Sequence, residues 1–227
     1  MASCAPSAHP PSRRRAFLGP QLISFTSAIF GLGNAAKINA LYPEGNYKDL
    51  WWRLADEVGD WSFVCPARRT ARIHEKHASQ PTFAYFFTMP NRNSSSICIG
   101  VCHGLELIYV LNHKEELKTQ AELQLAESMT AYWANFGGSG NPNIGDASKA
   151  LREWPAFKLD AQKYLNLTAD IGVIDDLREE RCNFWDSVEA TPLAERNADY
   201  PMSLEGLRRA AADARAGRLP LPAPAQA

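Results

Sequence analysis

The chain offers nothing built for a bilayer or for nucleic acid. No run approaches the roughly 18 apolar residues of a membrane-spanning helix, so no transmembrane segment is expected. Lys+Arg number 24 and Asp+Glu 25, a formal net charge of −1. The basic excess that neutralises phosphates is missing, and with it any expectation of a nucleic-acid partner or a charged-lipid footprint. The five cysteines, at 4, 65, 98, 102 and 182, show no C-x2-C spacing. Cys98, Cys102 and His103 offer three ligands without a fourth, so no metal and no cofactor is expected. His74-Glu75-Lys76-His77 places its histidines three apart, not four as in the H-E-x-x-H of zinc proteases, and reads as a solvated helix face. The absence with the largest consequence is G-x-S-x-G, the strand–turn–helix seat of a serine nucleophile.

What remains is an ordinary globular composition. Hydrophobic residues make up 45% and charged residues 22% of 227 positions, enough for one large domain or two small ones. Residues 1–20, rich in Pro, Ser and Arg, predict a disordered leader, and residues 191–227 a helical stretch and then a Pro-rich tail. Ser12 to Leu18 followed by apolar Leu22 to Leu32 also has the outline of a secretory signal, but Pro20, Gln21, Ser24 and Thr26 interrupt the apolar run.

Between these ends the periodicity predicts helices over 29–41, stopped by Tyr42-Pro43, and over 47–58, with Trp51, Leu54 and Val58 at spacings of three and four. Asp60 is placed to cap a third helix, in which Phe63, Val64, Ala67, Ala71 and His74 share a face. Thr82 to Met89, dense in aromatics and bounded by prolines, predicts a buried strand. A long helix over 118–136 carries Leu125, Met129, Tyr132, Trp133 and Phe136 on one side and stops at the Gly137–Pro142 cluster. Tyr164 to Thr168, read as alternating, predicts a second strand, and 176–188 a last helix with Leu177, Arg181, Phe184 and Trp185 inward. Helices alternate with two convincing strands. That is too few for a complete doubly wound sheet and fits the end of an α/β domain.

Gly100-Val101-Cys102-His103-Gly104-Leu105-Glu106-Leu107 sets a histidine between glycines, after a strand and before a helix. An α/β enzyme mounts a general base in such a place. Cys98 and Cys102 read as small buried fillers beside it.

Taken in order, these segments resemble the type B carboxylesterases, cholinesterases among them. Leu41-Tyr42-Pro43 is similar to the family's helix-ending YP turn, and Gly59-Asp60-Trp61-Ser62-Phe63-Val64-Cys65-Pro66-Ala67 to its GD-x-x-F-x-C-P-A segment. Gly100 to Leu107 resembles its H-G-x-E-L histidine loop. Tyr132-Trp133-Ala134-Asn135-Phe136 with Gly140-Asn141-Pro142-Asn143 is similar to its W-x-x-F…G-x-P-N helix end. Trp154-Pro155, Tyr164-Leu165 and Arg181-Cys182-Asn183-Phe184-Trp185 complete the series.

The resemblance covers 21–190 and implies an incomplete, C-terminal part of an α/β-hydrolase fold, mostly helices with two or three core strands. It makes His103 the general base of a Ser-His-acid triad acting on a small ester in a full-length relative. The nucleophile, the acid and the oxyanion hole are not in the chain. Ser94, Ser95 and Ser96 lack the elbow setting, Ser139 belongs to a helix stop, and the resemblance assigns neither Asp60 nor Glu106 to the triad. The chain is therefore expected to be inactive alone, and a non-catalytic cholinesterase-like binding or adhesion module is the alternative. Oligomeric state is left open. The resemblance also pairs Cys65 with Cys182 in a disulfide, which implies a secretory or extracellular setting. Sequons at Asn93 and Asn166 agree with secretion, although a glycan fits poorly on the strand that Asn166 occupies.

Overall fold

A computed structural model describes Thr26 and residues 29–90, 100–145 and 151–190. The expected leader and tail lie outside them. The chain divides into two compact units, one from Met1–Pro66 with Glu180–Ala227 and one from Ala67–Glu179.

The described part of the first unit is helical. Helix α1 spans Leu32–Leu41 and α2 Leu50–Gly59, followed by a π-helical turn over Asp60–Val64. Helix α3, Cys65–His77, begins here, and α6, Glu179–Ala190, closes the unit. Asp49 starts α2 by accepting hydrogen bonds from the Trp51 and Trp52 amides. The core gathers Phe30, Ile38, Tyr42, Trp185 and Val188 around a disulfide between Cys65 and Cys182, whose Cα atoms are 5.0 Å apart. Phe30 stands edge-on to both Trp61 and Trp185, with centroids 5.0 and 5.1 Å away.

A ring of polar groups sits beside these aromatics. The Tyr42 hydroxyl donates to Asp60 at 2.8 Å and accepts from the Trp185 indole at 2.9 Å. Arg181 pairs with Asp56 at 2.7 Å and Asp60 at 3.3 Å, and its guanidinium lies 4.4 Å from the Tyr42 ring centroid. Burial foremost, then the Asp60 charge, pushes the Tyr42 hydroxyl well above its ordinary range.

The second unit is built on a sheet of order β2-β4-β5, from Tyr85–Phe87, Tyr164–Leu167 and Gly172–Ile174. Strands β2 and β4 run parallel, with Phe86 opposite Asn166, while β4 and β5 run antiparallel. Two short strands, β1 at Thr82–Phe83 and β3 at Ala156–Phe157, pair separately. A parallel pair requires a long crossover. Here it carries a short helix α4, Leu107–Val110, and the long helix α5, Gln120–Ser139.

A reciprocal box between Thr119 and Glu122 starts α5, and Gly140, at φ 73°, ends it in the left-handed conformation that glycine adopts without strain. Leu125, Ala126, Met129 and Tyr132 of α5 bury against Leu165, Leu167, Phe87 and Trp154. This is the helix-rich, strand-poor portion of an α/β fold that the sequence implies.

Several local expectations fail, each for a physical reason. On α2 the buried positions are Arg53 and Glu57, whereas Trp51 is 57% and Val58 36% exposed. The two charges neutralise one another at 2.7 Å one helical turn apart, so the interior accepts them together. Asp60 caps nothing. It is helical, buried and engaged by Tyr42 and Arg181. The face through Phe63, Ala67 and His74 is exposed, and α3 buries Cys65 and Arg68 instead. The strand over 82–89 is broken at Ala84, whose carbonyl accepts from both the Leu165 amide and the Trp154 indole at 3.0 Å. Strand β4 does not alternate, because Tyr164, Leu165 and Leu167 are all buried.

Candidate active site

The site has to be built from the backbone of one turn. After β2 the described chain resumes at Gly100 and enters the crossover. The Leu105 amide donates to the Cys102 carbonyl at 3.1 Å, closing a four-residue turn with His103 and Gly104 at its centre. Gly104 has φ 82°, the left-handed value that the third position of a type II turn requires. The nearest atom to a Cβ there is Leu107 Cδ1 at 4.0 Å, so the dihedral rather than crowding selects glycine. The Leu107 amide bonds the Gly104 carbonyl at 3.2 Å, and the chain passes directly into α4.

The turn is anchored on its C-terminal side. Tyr109 of α4 is buried, and its ring stands 5.2 Å from that of Phe87 on β2. The Thr130 hydroxyl of α5 donates to the Val110 carbonyl at 3.2 Å. His103 itself is exposed and is not packed in hydrocarbon. Val101, Leu107 and Leu111 are also open, at 44%, 54% and 64%.

Other candidate residues take structural roles. Glu106 is half-buried, and its charge, after burial, raises the neighbouring Tyr85 hydroxyl. Asp60 belongs to the first unit's buried ring. Ser139 donates to the Asn135 carbonyl at 2.8 Å, as a helix-stop residue does. His74 shares a hydrogen bond with Thr82 at 2.8 Å and Glu75 pairs with Lys158 at 2.8 Å, while Lys76 and His77 are exposed. Among the described residues no group of three or more His, Cys, Asp or Glu could hold a metal, and no helix is long and apolar enough to cross a membrane. Asn166 lies on β4 and accepts from the Thr88 hydroxyl at 2.7 Å. Asn93, Ser94, Ser95 and Ser96 fall outside the described residues.

One reading is corrected at the turn itself. Cys102 is half-buried and disulfide-bonded, not a filler thiol. Its sulfur is therefore withdrawn from metal ligation. The odd cysteine count left room for this second bond, but nothing in the spacing selected it.

Comparison with known proteins settles the ancestry. The profile of the carboxylesterase family matches residues 32–185. The chain belongs to the carboxylesterase family. It is 29% identical over 147 residues to acetylcholinesterase 1 of Caenorhabditis elegans, covering 60% of this chain and 24% of that protein. Against a cholinesterase of Mus musculus it is 32% identical over 146 residues, covering 61% and 23%. Among solved structures a PNB esterase superposes with a TM-score of 0.55 at 21% identity, over 80% of this chain and 35% of the other. The chain thus spans about a quarter of the length of the curated relatives it matches.

Proposed function

We propose that this carboxylesterase-family chain carries the general base of an ester hydrolase, His103, and depends on a portion outside its sequence for the nucleophile, the acid and the oxyanion hole. The imidazole would take the proton from a serine hydroxyl as that oxygen attacks an ester carbonyl, then return it to the leaving alcohol. Water would enter in the second half-reaction, activated by the same ring, and free the carboxylic acid. A small ester is the substrate class. Without a serine to deprotonate, the base has nothing to activate, and the chain alone is expected to be inert.

The observation that carries this reading is the exposed histidine at the centre of a glycine-dependent turn, inside the crossover that follows a parallel strand. The disulfide between fully buried Cys65 and Cys182 supports maturation in an oxidising compartment, and so a secreted or extracellular protein. In this proposal a leader over 1–20 precedes the esterase portion over 21–190, and a tail over 191–227 follows it.

The test is a graft. Residues 32–185 replace the matching stretch of the mouse cholinesterase, and hydrolysis of p-nitrophenyl acetate is followed. We expect turnover that falls by about 10³-fold or more in His103→Ala, the scale of losing a triad member. A folded, active graft indifferent to His103→Ala would remove the histidine from the mechanism.

A further inference from the structure

Asn166-Leu167-Thr168 is a glycosylation sequon on β4, the middle strand of the second unit's sheet. A strand position excludes a glycan only where the side chain is enclosed. Leu165 and Leu167 lie in the core with α5 and are 0% exposed. Asn166 and Thr168, which alternate with them, are partly open to solvent.

The neighbours of Asn166 decide which way its amide faces. In register it stands between Phe86 on β2 and Gly172 on β5, and such cross-strand partners project from one face of the sheet. The β2 flank is occupied. Phe86 fills it, with the Arg178 guanidinium 6.0 Å from the ring centroid, and the Thr88 hydroxyl donates to Asn166 Oδ1 at 2.7 Å. The β5 flank is open. Gly172 has no side chain, and the nearest atom to a Cβ there is the Asp170 carbonyl oxygen, at 4.0 Å. Holding Oδ1 beside Thr88 turns Nδ2 away from β2. Among the described residues Nδ2 makes no hydrogen bond, and it is not sealed from water.

We propose that Asn166 is an N-glycosylation site, its Nδ2 carrying the glycan out through the gap beside Gly172. The inference rests on the reading of a secreted protein. The donor class is a lipid-pyrophosphate-linked oligosaccharide. The amide nitrogen attacks the anomeric carbon, so that an N–C bond forms and the C–O bond to the pyrophosphate breaks. The lipid pyrophosphate leaves, one amide proton passes to a base of the transferring enzyme, and the other stays on nitrogen. Transfer takes place on the extended chain before folding, so the folded structure decides whether the product is tolerated. An open Nδ2 beside a residue with no side chain tolerates it. The bulky, hydrated sugar then keeps this face of the sheet in water.

The full 227-residue chain is expressed in cultured animal cells behind a fused secretory leader, and again without it. Soluble protein is treated with a glycan-releasing amidase in water enriched in heavy oxygen, which converts a glycosylated Asn to a labelled Asp, and the peptides are mapped by mass spectrometry. We expect the label at Asn166 in leader-directed protein whose Cys65–Cys182 bond is formed. Asn166→Gln and Thr168→Ala should each lose it, together with the mass of one glycan. Thr168→Ser, which preserves the sequon, should retain it. An unlabelled Asn166 in the leader-directed, Cys65–Cys182-bonded protein overturns the proposal, and so does a glycan at Asn166 confined to aggregated material. Label with the leader and none without it upholds the site while removing the secretory reading, so the two failures are separable.

Discussion

The first unit buries carboxylates beside guanidinium partners, whereas the second ties its buried charges, Arg68 and Glu122, to backbone groups and centres its core on rings. Around Cys65–Cys182 the interior holds Arg53, Glu57 and Asp60, balanced by partners. In the second unit the packing runs through Tyr132, Trp154 and their aromatic neighbours, with Tyr132 and Trp154 centroids 5.3 Å apart. Buried ions tolerate no missing partner, because a lone charge in low dielectric costs far more than a pair. Aromatic packing degrades in proportion to the area lost. The first unit should therefore be brittle to single changes and the second graded.

The largest break should come from Cys65→Ala with Cys182→Ala. The bond closes a separation of 117 positions, so the loop-entropy model assigns it about 4–5 kcal/mol, read as a fall in urea midpoint. Next is Glu57→Ala, which strands Arg53 in a side-chain environment 7% exposed and should cost about 3–5 kcal/mol. Replacing both residues by Leu and Met should recover stability to within about 1 kcal/mol of the parent. Desolvation already raises the Glu57 carboxyl against the pull of Arg53, so the pair sits at a net disadvantage in its ionised form. A double variant no better than Glu57→Ala would show that the ions contribute more than their mutual neutralisation.

Smaller effects sharpen the same contrast. Thr119→Ala removes the cap of α5 and should cost about 1 kcal/mol. Burial foremost pushes the Tyr47, Tyr132 and Tyr164 hydroxyls from 10.0 up to about 12. The folded state thus holds these protons more tightly than the unfolded chain. Stability from them is complete below pH 10 and is lost as pH rises towards 12. Absorbance at 295 nm during an alkaline titration should show these three ionising together with unfolding. Trp51→Gln, at a residue 57% exposed, should change stability by less than about 0.5 kcal/mol.

The Trp51 substitution also shows where the sequence could be read and where it could not. Helix α5 was legible because its buried residues are apolar and recur at helical spacing, so Leu125, Met129 and Tyr132 face inward as the pattern implies. Helix α2 was legible as a helix but not as an oriented one. Its inward side is charged, and Arg53 with Glu57 reads as a solvated pair unless something encloses them. Phe136 ends the expected stripe of α5 yet is 49% exposed. Strands β3 and β5, of two and three residues, are too short to show any period. The turn that carries His103 was legible from its glycines. The second bond at Cys102 was not, since spacing alone does not choose partners among the cysteines that remain.

The most direct check on the division of labour at His103 is the rate of p-nitrophenyl acetate hydrolysis by the purified 227-residue chain beside its His103→Ala variant. We expect the two rates to coincide, as they must if the histidine waits on a serine supplied from outside the chain. Turnover that disappears in His103→Ala, and that an organophosphate titrates to a stoichiometric end point, would contradict this and place a working nucleophile within these residues.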